Sequence, residues 1–468
     1  MKSSMIKTAL ILSISVLSVG LSLAQEEGDT MKFTLKEAQD YAMEHNTEVQ
    51  NSEIDVKISD KEVWETTARG LPQLSASGSY NNNLSLSTQL FPNFIEPTIL
   101  KVLMEEGVID PQPIPDPEKI EVQFGSQHTF NGSLSVNQLI FSGPYIVGLQ
   151  AARVYKDLSQ QKYKKSRQET KANVARTYHS ILLTRRNIEI LEKNLENLKK
   201  SLKDSRALHE NGMAEITEVE KIQISVSSLK NSIKTTKRQL EKFHNLLKIQ
   251  LGVALDRPLK LTQPLQEILM ETAINETVQE EFNVSENVDY QLMNTQVDLS
   301  ELDLEREKAQ FLPTLSAVYN FRENAMRDKF NPLDSEGKWY ESSMLGFELS
   351  FPLFNSGQKI SRVQKAKLNL KKTKNNLANT KKNLTNSYIQ AKNNYESAYE
   401  KMQTSRENMK LAQKVYNRIS KKFSEGMASS MELTQANRDY LDTESNYINA
   451  VVELLNAKTE LEKIRNEL

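Results

Sequence analysis

The chain has 468 residues, of which 26% are charged, and its 60 Lys and Arg against 61 Asp and Glu give a formal net charge of −1. Without a basic excess, a function in binding nucleic acid is disfavoured. The absence of cysteine excludes disulfides, thiolate metal sites and a lipid anchor on an N-terminal cysteine, and the low counts of Gly (15) and Pro (13) favour long helices.

Residues 1–24 are predicted to be a signal peptide. Lys2 and Lys7 precede an apolar run from Ala9 to Leu23, and small residues at its end predict cleavage after Ala24. The alternative is an uncleaved membrane anchor, which the polar residues that follow disfavour. No later stretch is long and apolar enough to predict a transmembrane helix. We therefore expect an exported mature chain.

The first half of the mature chain, residues 25–284, is predicted to hold a helix over 46–70 and then a β-hairpin. Beyond Leu71-Pro72 apolar and small residues alternate with Ser and Asn over two segments of about ten residues, which is typical of transmembrane barrel strands. The alternative is a soluble, half-buried sheet. The residues on the apolar face are Leu74, Ala76, Gly78 and Tyr80, and then Phe130, Gly132, Leu134 and Val136.

Residues 86–126, between these two strands, are predicted to form an external loop. Six prolines lie there, from Pro92 to Pro117. Because proline at this density interrupts helices and paired strands, neither is expected in this loop.

A long helical hairpin is predicted next. Between Pro144 and Pro258 there is no proline and very little glycine. Gly212 marks a turn between two predicted helical arms, over about 144–210 and 216–250. Both arms carry a heptad pattern of apolar residues, which predicts an antiparallel coiled coil with its tip near 212. Residues 252–284 are predicted to form an irregular side layer with residues 31–45. The heptad residues are Val174, Ile181, Ile188, Leu191, Leu195, Leu198 and Leu202, and then Val219, Ile222, Val226, Leu229, Ile233, Thr236, Leu240, Phe243 and Leu247.

Residues 285–468 repeat the same unit. Asn46–Leu74 aligns with Asn287–Leu315 at an offset of 241, and Gly212 aligns with Gly426 at an offset of 214, so the first copy is 27 residues longer, in its external loop. The heptad register survives the second offset, which predicts a second helical hairpin with its tip near 426. Two further alternating strands have apolar faces made of Leu315, Ala317, Tyr319 and Phe321, and of Leu345, Phe347, Leu349 and Phe351.

The number of strands predicts an oligomer. Four strands are too few to close a barrel, and open sheet edges are not tolerated in lipid. If the strands are transmembrane, several copies must share one barrel, which predicts an obligate homo-oligomer.

The sequence resembles the outer-membrane efflux protein family, the TolC-like channels, over essentially the whole mature chain. The motifs occur in order in both copies. They are Leu71-Pro72-Gln73-Leu74-Ser75, Leu312-Pro313-Thr314-Leu315-Ser316, Phe351-Pro352-Leu353-Phe354-Asn355-Ser356-Gly357, Asn211-Gly212-Met213-Ala214-Glu215-Ile216-Thr217-Glu218-Val219 and Glu425-Gly426-Met427.

The resemblance implies an α+β membrane protein in the outer membrane of a Gram-negative bacterium, with a large periplasmic portion. It implies long antiparallel coiled-coil helices that form a periplasmic tunnel, and four transmembrane strands per protomer in a 12-stranded barrel shared by a homotrimer. The implied partners are outer-membrane lipid, a periplasmic adaptor (membrane fusion protein) and an inner-membrane pump of RND or ABC type. The implied function is a passive exit duct in tripartite efflux or type I secretion.

The resemblance also implies sites at the tips. Residues 218 and 432, both Glu, match acidic positions that constrict the family's tunnel, although the alternative of ordinary first-turn acids favoured by the helix dipole stays open. The chain departs from some relatives in having Gln435 where a second acid stands and no Arg after Gly426. The residues implied to dock the adaptor are Asn211, Gly212, Met213, Glu425, Gly426 and Met427, with a polar residue before each glycine.

An enzyme is not expected. The five histidines show no metal-ligand spacing, there is no glycine-rich phosphate loop, and no pair of acids stands out, so no catalytic residue, metal or cofactor is predicted. The alternatives from other classes are a periplasmic coiled-coil adaptor and a soluble coiled-coil scaffold protein. An adaptor usually carries one helical hairpin, whereas this sequence predicts two.

Overall fold

The computed structural model describes residues 30–114, 116, 118–271, 282–331 and 337–468. The predicted signal peptide lies outside the described residues. The chain forms two compact units, and the long helices contribute to both. Among the described residues, the tip unit comprises those within 30–47, 170–271 and 394–460, and the strand unit comprises those within 48–169, 282–331, 337–393 and 461–468.

Helices dominate both units. They are α1 (Leu35–His45), α2 (Thr47–Ala68), α3 (Ile95–Glu105), α4 (Gly143–Glu210), α5 (Ile216–Leu251), α6 (Leu265–Glu271), α7 (Val288–Ala309), α8 (Gln358–Ser424) and α9 (Ser430–Arg465), with a 3₁₀ turn at Val284–Glu286. The strands are β1 (Met31–Phe33), β2 (Gln73–Asn82), β3 (Ser87–Pro92), β4 (Lys119–Phe124), β5 (His128–Ser142), β6 (Leu259–Leu261), β7 (Thr314–Arg327) and β8 (Tyr340–Ser350). Among the described helices, none carries an apolar and nearly uncharged stretch long enough to cross a membrane.

The two helical hairpins are as predicted. Helix α4 has 68 residues, so it is about 100 Å long, and α8 has 67. Every residue of the predicted heptad pattern in α4 and α5 is buried or half-buried, as are the positions 214 residues later in α8 and α9. The duplicated register therefore places equivalent faces of both hairpins in the core.

The core of the tip unit has two parts. Near the hairpin tips, apolar side chains of all four long helices meet; they include Leu198, Val219, Ile222, Phe423 and Leu433. Farther along α4, a second cluster around the fully buried Tyr178 joins α4, α5 and α9 to the side layer. The hydroxyl of Tyr178 donates to the carbonyl of Phe33 in β1 at 3.0 Å, which satisfies a buried polar group and ties the side layer to α4.

The side layer is more regular than predicted. Strands β1 and β6 pair in parallel, with Lys32 opposite Lys260, and α1 begins with a capping box in which the Thr34 and Glu37 side chains each accept from the other's backbone N–H. The prediction of an irregular layer over 252–284 is therefore wrong for 259–261, which form strand β6, and for 265–271, which form helix α6. Residues 272–281 lie outside the described residues.

The strand unit contains one antiparallel sheet in the order β2-β5-β7-β8. Its register puts the predicted apolar residues side by side: Leu134 of β5 lies opposite both Ala76 and Phe321, and Tyr319 of β7 lies opposite Leu345. Residues directly opposite in a sheet share a face, so the four predicted strands form one apolar face and one polar face. The predicted fold class is confirmed for the protomer.

Strand β5 contains a β-bulge. The pairing of β5 with β7 slips between Leu139 and Phe141, which leaves Ile140 as the extra residue. Because of this slip, Phe141 returns to the apolar face opposite Leu315.

The prediction for residues 86–126 is wrong, since the segment contains a β3–β4 hairpin and helix α3. The prolines in these elements lie at positions where proline is tolerated, so they do not interrupt the strand or the helix. Pro92 ends β3, and Pro97 is in the first turn of α3, where its missing N–H has no helical partner to lose. Pro111 and Pro113 lie between α3 and β4, outside both elements, so the number of prolines in the segment did not predict its structure.

Candidate functional site: hairpin tips and sheet edges

The two hairpin tips have the same backbone geometry. Gly212 and Gly426 both have φ of +73°, in the left-handed region that favours glycine. After each glycine, a methionine N–H donates back to the helix, from Met213 to the carbonyl of Leu208 and from Met427 to that of Lys422, both at 2.8 Å. These are Schellman turns, which end α4 and α8 and reverse the chain.

Both tips expose a methionine. The Met213 side chain is 76% exposed and that of Met427 is 65% exposed. Ile216 and Met431, at the start of the returning helices, are also exposed. Methionine adapts its shape to varied partners, so each tip offers a small apolar contact surface.

The two candidate constriction residues differ in their local bonding. The Glu432 carboxylate accepts from the Ser429 N–H at 2.8 Å, and the Glu432 N–H donates to the Ser429 hydroxyl at 3.2 Å. This capping box lowers the pKa of Glu432. Glu218 is half-buried in the first turn of α5, where the N-cap residue Glu215 makes no side-chain cap.

The four-stranded sheet has two unpaired edges within the protomer. Strand β2 is exposed along its whole length, and β8 is exposed except at Gly346. The apolar face is also uncovered in part, since Leu74, Leu345 and Phe347 are among the exposed large apolar residues. A sheet with open edges and an exposed apolar face is incomplete in water.

The opposite face of the sheet is polar. The hydroxyl pairs Ser75–Ser135 and Ser77–Ser133 are hydrogen-bonded at 2.7 and 2.8 Å across β2 and β5. Arg322 lies on this face opposite Ser133 and Ser342. Mostly uncharged, hydroxyl-rich side chains suit a surface in contact with water.

A buried polar cluster in the tip unit was missed by the sequence analysis. Asn194, Tyr416 and Glu444 are all more than nine-tenths buried, and burial raises the pKa of Glu444. His179 is also buried, and desolvation lowers its pKa to about 4. One signal was available: Asn194 is an amide between the heptad residues Leu191 and Leu198. Within the described ranges, no three His, Cys, Asp or Glu side chains are grouped to hold a metal ion.

Comparison with known proteins agrees with the fold. The sequence profile of the outer membrane efflux protein family matches residues 39–252 and 285–467. Similar solved structures include CusC (17% identity, 95% of each chain covered, TM-score 0.70), the outer membrane protein VceC from Vibrio cholerae (12% identity, 92% of this chain and 96% of that chain, TM-score 0.68) and the CmeC outer membrane channel from Campylobacter jejuni (16% identity, 92% and 85%, TM-score 0.68).

A comparison with the sequences of curated proteins found no match to the chain. At the identities above, the structural likenesses establish the fold alone. The family profile, however, spans most of both repeats, including both hairpin tips and the whole four-stranded sheet, and leaves out residues 253–284 between the matched ranges. The chain therefore belongs to the outer membrane efflux protein family.

Proposed function

We propose that the chain is the channel subunit of a tripartite efflux or type I secretion system, and that it is a passive exit duct that performs no chemistry. The observation that carries the proposal is the four-stranded sheet, which has one apolar face, one polar face and two unpaired edges. Family membership confirms the predicted outer-membrane localisation and favours a channel over a periplasmic adaptor.

Three copies would close the sheet into one barrel of twelve strands, with the apolar face toward lipid and the polar face toward a wet lumen. Within the protomer, β5 is the second strand of the first repeat, and it pairs with β7, the first strand of the second repeat. Repeating this relation pairs β8 of one copy with β2 of the next. Each unpaired edge then obtains a partner of the kind that the inner strands already have.

The repeat also specifies the register of that pairing. Asn137 of β5 lies opposite Gln73 and Val318, and Ser350 of β8 lies opposite Thr314. Since Thr314 is the repeat equivalent of Gln73, Ser350 is the equivalent of Asn137. The equivalent of Val318 in β2 is residue 77. We therefore expect Ser350 to lie opposite Ser77 of the neighbouring copy.

Disulfide cross-linking tests this register in a chain that has no cysteine of its own. Directly opposite residues are about 4.5–5.5 Å apart at Cα, within disulfide reach, whereas diagonal positions at about 7–8 Å exceed it. The double variant Ser77→Cys/Ser350→Cys should give a covalent trimer on oxidation, and the off-register control Ser79→Cys/Ser350→Cys should give little. Equal cross-linking in both, or none in the first, would contradict a shared barrel in this register.

The hairpin tips are proposed to dock a periplasmic adaptor, which links the channel to an inner-membrane pump of RND or ABC type. The exposed Met213 and Met427 support this. Asn211 and Glu425, which precede the glycines, are polar where the family has an apolar residue, so the contacts with the adaptor should differ there. For a tunnel constriction, Glu218 is the better candidate, because the capping box gives Glu432 a structural role.

Conductance of the purified oligomer in a planar bilayer tests the duct: a bilayer that stays sealed after the oligomer is added would contradict an open passage.

A further inference from the structure

The tip unit contains a cavity of about 420 Å³ between α4, α8 and α9, which Leu265 of α6 also lines. Its volume is within the range of small-molecule sites in proteins. Apolar residues such as Leu183, Ile448 and Val451 form one part of the wall, and tyrosine, polar and charged side chains form the larger part. A mixed wall of this kind can bind a small ligand that has both an apolar body and a polar group.

Asn194 is the first polar group that needs a partner. Its side chain is 2% exposed and lines the cavity, yet neither its oxygen nor its nitrogen makes a hydrogen bond to any described residue. Buried amides are normally satisfied. An amide that is left unpaired against an open cavity therefore indicates that something polar occupies that cavity.

Glu444 is the second such group. Its side chain is 6% exposed, and the carboxyl oxygen Oε2 has no partner among the described residues. Tyr440 hydrogen-bonds to the carboxyl group, and its ring stacks on that of Tyr416 with centroids 5.7 Å apart and planes 10° apart. The cavity thus offers a carboxyl oxygen beside two stacked aromatic rings.

The buried carboxyl group of Glu444 favours a cationic ligand. Arg186 and Glu189 form an ion pair with each other at 3.1 Å, and Lys193 is exposed at the wall. Burial raises the pKa of Glu444, and the charges of Arg186 and Lys193 act against this by lowering it. Among the described residues that line the cavity, Glu444 is the buried one that can carry a charge. An anion would be placed against its carboxylate, whereas an organic ammonium would neutralise it and be attracted by aromatic faces.

We propose that this cavity binds a small organic amine in its ammonium form. Glu444 provides the counter-ion and Asn194 accepts a hydrogen bond from the ammonium group through its side-chain oxygen. The rings of Tyr416 and Tyr440 contact the body of the ligand. The site lies in the helical wall, and a ligand held there would bridge α4 of the first hairpin to α8 and α9 of the second.

Binding of benzylamine and benzyltrimethylammonium to the detergent-solubilised full-length oligomer, measured by calorimetry, tests the proposal. Benzyl alcohol is the neutral control ligand. We expect saturable binding of at least one cation, near one site per chain, and at least tenfold weaker binding of the alcohol. Glu444→Gln keeps the shape and removes the charge, and should weaken cation binding at least tenfold. Asn194→Leu should weaken benzylamine binding independently.

Asp442→Asn is the matched control, because it makes the same chemical change at an exposed position of α9 and should leave binding unchanged. A cavity that holds only water would give no saturable binding of either cation. That result would overturn the proposal, as would equal affinities for benzylamine and benzyl alcohol, or undiminished cation binding in a folded, oligomeric Glu444→Gln variant.

Discussion

The buried imidazole of His179 should make part of the tip unit sensitive to acid. His179 is 5% exposed on α4, and neither ring nitrogen has a hydrogen-bond partner among the described residues. Burial, with a smaller contribution from the charge of Lys458, lowers its pKa from 6.5 to about 4. The folded chain therefore holds this histidine neutral at pH values where the unfolded chain protonates it.

The direction and size of the effect follow from these two pKa values. The stability that depends on neutral His179 is fully present above pH 6.5, is lost as pH falls from 6.5 toward 4, and changes no further below 4. At pH 5 the free energy needed to open the structure around His179 is about 2 kcal/mol lower than at neutral pH. This corresponds to roughly a 30-fold fall in the protection of nearby amides from exchange.

Hydrogen exchange with mass spectrometry measures this locally in the intact oligomer. Peptides from α4 around His179 should lose roughly 30-fold in protection between pH 7.5 and 5.0, after correction for the intrinsic exchange rate. In His179→Leu, which has no group to protonate, that loss should disappear. His45→Gln, a change at an exposed histidine, should keep it. Undiminished protection of the parent at pH 5.0, or an equal loss in His179→Leu, would refute the reasoning.

Three further outcomes are expected. Gly426→Ala should destabilise the second hairpin by about 1 kcal/mol in thermal unfolding, because φ is +73° while the added Cβ meets only open space; Gly148→Ala, at a helical glycine with equally open surroundings, should not destabilise. Met213→Asp/Met427→Asp should weaken co-purification with the cognate adaptor at least tenfold without loss of the trimer, and unchanged co-purification would argue against docking at the tips. Tyr178→Phe should destabilise the side layer by about 1 kcal/mol, seen as faster exchange in β1, since it removes the buried hydrogen bond to Phe33 and the acceptor of the long Gln263 N–H bond.

Periodic features were predictable from the sequence because burial follows periodicity directly. A period of 3.5 placed Ile222 and Leu433 in the core, and a period of two placed Leu134 and Phe321 on one face. The strands extend beyond the predicted segments, to His128 in β5 and Arg327 in β7. Those ends were not predictable, because charged and polar residues interrupt the alternation where the sheet continues.

Other features depend on positions that a pattern does not reveal. The number of prolines in 86–126 does not predict its structure, because the effect of a proline depends on its place, and Pro97 in the first turn of α3 is compatible with a helix. The heptad pattern does not reveal Asn194, because the pattern consists of apolar residues and carries no information about an amide between them. Whether such an amide is satisfied depends on helices far away in the sequence.

The unpaired edges of β2 and β8 also affect the behaviour of the chain before it assembles with other copies. A newly exported chain carries two uncompleted ladders and an uncovered apolar face, so it is prone to join the wrong strand of another chain. If three copies must meet to remove every edge, the yield of correct channels should rise steeply with the concentration of chains at the membrane. A slow supply of subunits would then leave each chain unassembled for longer and favour its proteolysis, and periplasmic chaperones that cover strand edges would protect this chain most when its synthesis is low.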